Sequence, residues 1–515
     1  GNFSFTHFDW RNGNSPSDEG ESDGGNIFAQ VVRYAPIYPL FMRDGEGNII
    51  IDQYGYQLYD NGDGMNAGSV RPSAAQSNPL QDIILNKYRS EGNAFSVNGY
   101  ADFFLYKGLK LTINGAADLD ETRHTSMMNP YYGQFATSGG SISKSHSRQI
   151  SYNLQQFLSY NETFADKHNV DLVLGHEYYN VRNYSPGAYR TRMFSIDNME
   201  LSGAVVDGMS SSSGMSEYNK EGYFFRGQYA FDNRIFVSGS YRRDASSRFH
   251  PDHRWGDFWS VSAAWLINRE SWFNASWVDM LKIKASYGQQ GNDNIPSYLY
   301  ADQYSISDDG NGGIATIFGM KGNPNITWET NSNLNVGVEF GFWGNRLSGS
   351  VEFFNRITTD MLFSLPVAPQ LGYSSIWTNV GDMLNRGVEI ELNADLIRTK
   401  NVLWSFGLNM THFKNEVLSL PDEYKTKTVE GYKGYESGSY FRGEGLALYT
   451  FYMPTYAGVN KETGAPQWYT FKTNSATRMA SVSARLPSRT RRQARMVVSC
   501  TAIRLRSCMV VSTLR

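Results

Sequence analysis

Leu334-Asn335-Val336-Gly337-Val338-Glu339-Phe340-Gly341-Phe342 carries a large apolar side chain at every even position and a polar residue or glycine at every odd one. Successive side chains on a strand point to opposite faces, so this stretch reads as a strand with one apolar and one polar face. Trp343-Gly344-Asn345-Arg346 then reads as a tight turn. After it Leu347, Gly349, Val351 and Phe353 resume the alternation against Ser348, Ser350 and Glu352. The same unit recurs on either side. Residues 223–231 and 235–241 flank Asp232-Asn233, and residues 388–394 and 404–410 flank a turn near 398–401.

Extended along the chain, the pattern predicts tight pairs at 95–106 with 109–117, 150–164 with 168–178, and 222–231 with 235–243. Further pairs are expected at 258–267 with 280–288, 332–342 with 347–357, and 386–396 with 403–413. An opening strand follows from Phe3, Phe5 and His7 alternating with Ser4, Thr6 and Phe8. The total is about 13 or 14 strands. Residues 11–94 read mostly as loop, with an acidic patch at Asp18, Glu19, Glu21 and Asp23. Other long loops are expected near 119–149, 180–217, 244–257, 289–331, 358–385 and 415–440, rich in Gly, Ser, Asn and Asp. Short turns at one end and long loops at the other predict an all-β fold, an antiparallel transmembrane β-barrel.

The apolar face is the one expected against lipid. Trp259, Val261, Ala263 and Trp265 would point outward, with Ser260, Ser262 and Ala264 inward; Leu281, Ile283, Ala285 and Tyr287 likewise oppose Lys282, Lys284 and Ser286. A soluble sandwich or propeller also alternates. Charge on the polar face of nearly every strand, and strand lengths that suit a tilted bilayer crossing, favour the barrel. Apolar residues are 40% and aromatics 14% of the 515, a balance that fits a wall greasy on one side with aromatic girdles at the interfaces. With no run of 18 apolar residues, a helical membrane protein is excluded.

The chain opens at Gly1-Asn2-Phe3, already in strand pattern, and so reads as a fragment. Cys500 and Cys508 leave residues 1–499 without a cysteine, hence without a disulfide framework. Residues 478–515 hold nine Arg and no Lys, Asp, Glu, Gly or aromatic residue; setting those charges aside turns the net −3 into −12 for residues 1–477. A basic tail for nucleic acid or anionic lipid would normally mix Lys with Arg. The segment reads instead as a frameshifted, non-native tail. The expected division is residues 1–472 as barrel region and 473–515 as tail.

No enzyme is expected. No phosphate loop, nucleophile elbow or His-Glu-x-x-His appears, and no carboxylate pair stands out. His250-Pro251-Asp252-His253 could ligate a metal, but its proline and flanking arginines favour a solvated loop. Asp60-Asn61-Gly62-Asp63-Gly64 and Asp308-Asp309-Gly310-Asn311-Gly312 resemble calcium loops. Position 12 is Arg71 or Gly319 where an EF-hand needs Glu, so both read as turns. No catalytic, cofactor or metal residue is assigned. The loop aromatics Tyr131, Tyr132, Tyr298, Tyr300, Tyr304, Tyr373, Trp377, Tyr435 and Tyr440 could stack on sugars or peptides, although interface belts or loop self-packing account for them more simply.

Several stretches carry a family resemblance. Residues 223–229 (Tyr-Phe-Phe-Arg-Gly-Gln-Tyr), 242–249 (Arg-Arg-Asp-Ala-Ser-Ser-Arg-Phe), 254–256 (Arg-Trp-Gly) and 286–292 (Ser-Tyr-Gly-Gln-Gln-Gly-Asn) are among them. So are 323–329 (Asn-Pro-Asn-Ile-Thr-Trp-Glu) and above all 379–389 (Asn-Val-Gly-Asp-Met-Leu-Asn-Arg-Gly-Val-Glu). Together they resemble the SusC/RagA-type TonB-dependent outer-membrane transporters over roughly residues 1–470. The resemblance implies part of a 22-stranded barrel whose N-terminal plug and TonB box would precede Gly1. It implies location in the outer membrane of a Gram-negative bacterium and import of oligosaccharides or peptides. Its implied partners are a SusD-like surface lipoprotein as lid, the TonB complex and outer-membrane lipid, with no nucleic acid. Arg515 departs from the terminal aromatic such barrels use for assembly. The alternatives are a passive porin-like barrel and a secreted β-rich glycan-binding protein. For a wall of this strand number, a curved open sheet is expected, to which residues 473–515 add no strand because lipid-facing arginines cost about 2–4 kcal/mol each.

Overall fold

The computed structural model describes residues 1–12, 34–53, 55–66, 70–71, 78–133, 135–207, 211–453, 456–468 and 507–514. The acidic patch at residues 18–23 and most of the arginine-rich tail lie outside them.

Alternation of apolar and polar residues produces a strand wherever it was expected. β1 (Asn2–Asn12) opens the chain, and a short helix α1 (Pro79–Leu85) leads into the first hairpin, β2 (Lys87–Tyr106) and β3 (Leu109–Met128). The next hairpin is β4 (Ser141–Phe164) and β5 (His168–Met193), with a short β6 (Ala204–Asp207) paired to β5. Then come β7 (Ser212–Phe231) with β8 (Ile235–Ser246), and β9 (Trp255–Leu266) with β10 (Val278–Asn292). Between β10 and the next long strand stands a separate hairpin, β11 (Gln303–Asp308) and β12 (Ile314–Met320). β13 (Glu329–Phe342) and β14 (Leu347–Thr359) follow, then a small pair β15 (Leu362–Pro366) and β16 (Ser375–Asn379), then β17 (Asp382–Arg398) and β18 (Leu403–Ser419). Short loop strands complete the set: β19 (Lys427–Val429), β20 (Tyr432–Ser437), β21 (Tyr440–Gly443), β22 (Thr450–Phe451), β23 (Tyr456–Val459) and β24 (Pro466–Trp468). The last is β25 (Ser507–Leu514).

Hydrogen bonding orders the main sheet β1-β2-β3-β4-β5-β7-β8-β9-β10-β13-β14-β17-β18-β25. All six expected hairpins are present. The register carries the alternation from strand to strand: Val336 faces Phe353 and Val338 faces Val351, while Glu339 faces Ser350.

Two expectations fail. The strands run far into segments read as loop: β4 has 24 residues and β5 has 26. Alternation ends where one face ceases to meet an apolar surround, but the backbone ladder needs no apolar face and continues. The second failure is at β25, which pairs with β18 from Trp404↔Leu514 to Thr411↔Ser507, so residues 473–515 do add a strand. Between Arg506 and Arg515 this segment contains no arginine and has adjacent valines, so the charge penalty that argued against it does not apply.

Turn chemistry explains the hairpins. Asp232 and Asn233 both have φ near +50°, and the Arg234 N–H donates to the Phe231 carbonyl at 2.9 Å. This left-handed pair matches the twist of the flanking strands. Ala165 and Asp166 adopt the same conformation without the usual Asn or Gly.

The chain forms two compact units. The first comprises residues 1–102, 112–156 and 177–219. Its core is Tyr59, Leu85, Met127, Ile142, Met193, Ile196 and Ala204. Asn78 organises it: the carboxamide oxygen caps α1 by accepting from the N–H groups of Leu80 (3.1 Å) and Gln81 (3.3 Å). Its Nδ2 donates to the carbonyls of Leu40 and Asp60, both at 2.9 Å. Asn78 is fully buried. Asn78→Ala is therefore expected to destabilise this unit by about 2 kcal/mol, cap loss plus an orphaned Asp60 carbonyl, the Leu40 carbonyl keeping its bond from Asp60 N–H. Chemical denaturation followed by the exchange of amides at 80–86 measures it.

The second unit comprises residues 103–111, 157–176 and 220–515. Its core, Phe249, Phe258, Ile295, Leu299, Ile326 and Trp328, lies where loops meet strand ends. Along its strands the usual burial pattern is inverted: Trp259 (42%), Val261 (51%) and Trp265 (38%) are exposed, and the serines between them are half-buried. Contiguous exposed apolar rows on paired strands mark a surface built to meet something other than water.

Candidate functional site

The polar face of the second unit begins as a serine ladder. Ser238 and Ser262 face each other in register with hydroxyls 2.7 Å apart, and Ser240 and Ser260 at 2.6 Å. Beyond them lies a charge lattice: Lys284 Nζ is 3.0 Å from Glu339 and 2.7 Å from Glu352, and Lys282 is 3.1 Å from Glu339. Gly337 sits in register between Lys284 and Glu352. A Cβ there would lie 3.2 Å from the Lys284 side chain and 3.1 Å from the Val351 carbonyl, so the missing side chain lets the ammonium reach across a strand.

Between ladder and loops opens a groove of about 630 Å³, lined by Ser240, Ser260, Ser286, Asn333 and Asn335 among others. At its loop end Arg242 donates to buried Asp244 at 2.7 Å. Hydroxyls and amides of this kind exchange hydrogen bonds with water or with a passing polar chain at nearly equal cost. The serines bond one another and not a base, which suits contact and passage better than nucleophilic chemistry.

Above the groove, several residues of the sequence motifs tie the loops into a platform. Trp328 lies 5.4 Å from the Phe249 ring and 5.5 Å from Phe258, and its indole N–H donates to the Arg254 carbonyl at 2.9 Å. The Asn379 side chain mimics a backbone partner: its oxygen accepts from Thr327 N–H at 2.8 Å and its Nδ2 donates to the Thr327 carbonyl at 2.8 Å. Asn323 donates to the Trp377 carbonyl at 3.0 Å. Glu329 accepts from Asn292 Nδ2 at 3.0 Å and from Leu362 N–H at 3.1 Å.

The β11–β12 hairpin projects from this platform and is held at its base by Asp302, which accepts from Gly322 N–H at 2.9 Å and from Lys321 Nζ at 3.0 Å. The Gly322 bond, then the Lys321 bond, lowers the Asp302 carboxyl below its ordinary value; Asp302 in turn raises the Lys321 ammonium. The anchoring from Asp302 is thus present above the unfolded carboxylate pKa and lost as pH falls through the depressed folded value. Hydrogen exchange at Gly322 and along β12, corrected for the intrinsic pH dependence of exchange, is expected to accelerate in that acid window. Asp302→Asn is expected to remove the dependence.

The loop aromatics do not converge on one site. In the first unit Tyr131 stacks on Tyr56 at 5.7 Å, and Tyr132 bonds Asp52 through its hydroxyl. In the second, Tyr300 and Trp377 pack against the platform core. Tyr373 meets Phe318, Tyr435 meets Tyr424, and Tyr440 stacks on Phe451. Tyr298 (50%) and Tyr304 (58%) remain well exposed. His250 turns its ring edge to Tyr300 at 5.8 Å. The calcium-like loops are turns: Asp60 accepts from Gly62 N–H, and Asp309 from Asn311 and Gly313 N–H. Sequence reasoning missed the Arg242–Asp244 pair and the groove. The pair does not read as two residues of one strand, because the expected strand stops at 243 and leaves Asp244 in the expected loop; the groove depends on the register that sets β8, β9, β10 and β13 side by side.

The family model described as TonB dependent receptor-like, beta-barrel matches residues 40–489. TonB-dependent receptor P3 of Formosa agariphila is 26% identical over 461 residues, covering 87% of this chain and 43% of that protein. TonB-dependent receptor SusC of Bacteroides thetaiotaomicron is 26% identical over 412 residues, 77% of this chain and 40% of SusC. Among solved structures, the RagAB peptide importer in its closed-closed state aligns with a TM-score of 0.74 at 26% identity, over 84% of this chain and 47% of that one. The RagAB peptide transporter aligns at 0.71 and 27%, over 81% and 45%. The chain spans less than half the length of the curated relatives it matches.

Proposed function

We propose, from the premise that this chain belongs to the TonB-dependent receptor-like β-barrel family, that it is part of the wall of a SusC-like active importer of nutrient oligomers. It lies in the outer membrane of a Gram-negative bacterium, and its family is one of transporters and not of enzymes. The carrying observation is the polar face: serine hydroxyls, carboxamides and a paired charge lattice on one side of strands whose other side is exposed and apolar. Such a face suits a hydrated path for a polar chain through an apolar surround.

Oligosaccharides or peptides are the proposed cargo. Likeness to structures described as peptide importers supports peptides, and oligosaccharides are carried over from the family resemblance of motifs such as residues 379–389. The proposed partners are a SusD-like surface lipoprotein closing over the loops and TonB energising the complete protein. The proposed barrel part is residues 1–472, with the arginine-rich segment a product of a shifted frame; resequencing the coding region tests that point.

Uptake of labelled peptides and oligosaccharides by cells carrying the complete transporter tests the function. Import of one class should stop when the proton gradient is collapsed or TonB is deleted. Uptake that survives de-energisation would favour a passive porin-like barrel. Recovery as a soluble periplasmic monomer would favour a secreted binding protein.

A further inference from the structure

The register of the main sheet sets one row of residues side by side on the polar face of the second unit. Arg226 on β7 pairs with Ser240 on β8, Ser240 with Ser260 on β9, and Ser260 with Gly288 on β10. Gly288 pairs with Asn333 on β13, and Asn333 with Arg356 on β14. Residues directly opposite one another on paired strands share a face, so the whole row lies on the groove side of the sheet. Ser240, Ser260, Gly288 and Asn333 line the groove, and the two arginines end the row on either side of it. Five strand spacings of about 4.8 Å separate them, roughly 24 Å along the sheet.

These two guanidiniums differ from neighbouring cations of the same face. Arg242 is held by Asp244 at 2.7 Å, Lys282 by Glu339 at 3.1 Å, and Lys284 by Glu352 at 2.7 Å. Arg226 and Arg356 are exposed, and neither has an ion pair or a side-chain hydrogen bond among the described residues. Arg356 lies 4.8 Å from the Phe354 ring, which positions the guanidinium without neutralising it. Two carboxylates of this face also lack a cation: Glu389 and Glu391 stand four and six residues along β17 from Asn385, the residue paired with Arg356. At about 3.3 Å per residue the nearer is roughly 13 Å from the row, beyond the about 8–10 Å over which exposed charges act at physiological salt. The row is therefore a positive level between neutralised neighbours.

We propose that this row selects carboxylate-bearing oligomers, acidic peptides or uronic-acid glycans, with Arg226 and Arg356 each taking one carboxylate; it rests on the reading of the polar face as a cargo path. A guanidinium meets a carboxylate with two parallel N–H donors, a match that a hydroxyl or a neutral amide does not offer. Between the two arginines, Ser240, Ser260 and Asn333 exchange hydrogen bonds with the neutral parts of the chain, directly or through water. An extended chain at about 3.3 Å per residue covers the distance with about seven residues. A short acidic fragment engages one guanidinium, and a longer one engages both.

The complete transporter in nanodiscs tests this with chains of about seven units: oligoglutamate against oligoglutamine, and oligogalacturonate against its methyl ester. Calorimetry is expected to show at least one acidic chain binding about tenfold tighter than its neutral counterpart. Arg226→Gln with Arg356→Gln is expected to remove that preference, and Lys at both positions to restore part of it. Arg226→Gln alone breaks no side-chain contact found among the described residues and is expected to lower the preference severalfold. Absence of an acidic preference in the unaltered protein, or a preference that survives the double substitution, overturns the row as selector. Uptake by cells separates this from the importer reading. TonB-dependent uptake without acidic preference keeps the importer and overturns the row; acidic binding that Arg226 and Arg356 control, without TonB-dependent uptake, keeps the row and overturns the importer.

Discussion

Val336→Arg is expected to abolish assembly into the outer membrane, whereas Asn335→Arg, one residue away, is expected to be tolerated. Val336 is 41% exposed and lies in register between Ala285 and Phe353 on the apolar face. It stands six residues from the β13–β14 turn, which begins after Phe342. At about 3.3 Å per residue and a tilt near 45°, that is roughly 14 Å, close to the middle of the apolar band. Arginine on the lipid face at that depth costs about 2–4 kcal/mol. Asn335 points to the groove, beside Ser286, where a guanidinium stays hydrated. The contrast separates two physical pictures. If the exposed rows met water, replacing an exposed valine with arginine would change stability by less than about 0.5 kcal/mol. Heat-modifiable mobility of outer-membrane fractions and urea unfolding in bilayers measure the difference; equal behaviour of the two variants would count against a lipid-facing surface.

Trp328→Ala is expected to cost the loop platform about 3–5 kcal/mol, the range for deleting a buried large aromatic side chain. Trp328 is 5% exposed, packs on Phe249 and Phe258, and holds the Arg254 carbonyl. Trp328→Phe keeps most of the ring contact and removes one of the two N–H donors on the Arg254 carbonyl, so about 1 kcal/mol is expected. The effect should be local. Amides around Phe249, Ile295, Leu299 and Ile326 are expected to exchange faster and the loops to become protease-sensitive, while the β13–β14 ladder stays protected. Import should fall with platform stability if the platform seats cargo or lid, and stay unchanged if it only covers the strand ends.

Sequence alone was enough for everything that depends on period two. Leu334 to Phe342 identified a two-faced strand, and the six hairpins followed because each face must alternate and each turn must reverse the chain within a few residues. It was also enough for the inverted surface, since Trp259, Val261 and Trp265 carried the apolar rows and Lys282 and Lys284 the polar ones. It could not say where strands stop. β4 and β5 continue through residues 141–149 and 179–193 on a backbone ladder that needs no strict alternation, so their extension leaves no period-two mark in the sequence. Nor could it show β25, whose pairing with β18 depends on a neighbour about a hundred residues away in the chain. The groove and the Lys284 bridge across Gly337 are likewise products of tertiary structure. Each joins residues from different strands, and which residues come opposite one another is decided by the register of the whole sheet. One strand's pattern fixes only which way its own side chains point.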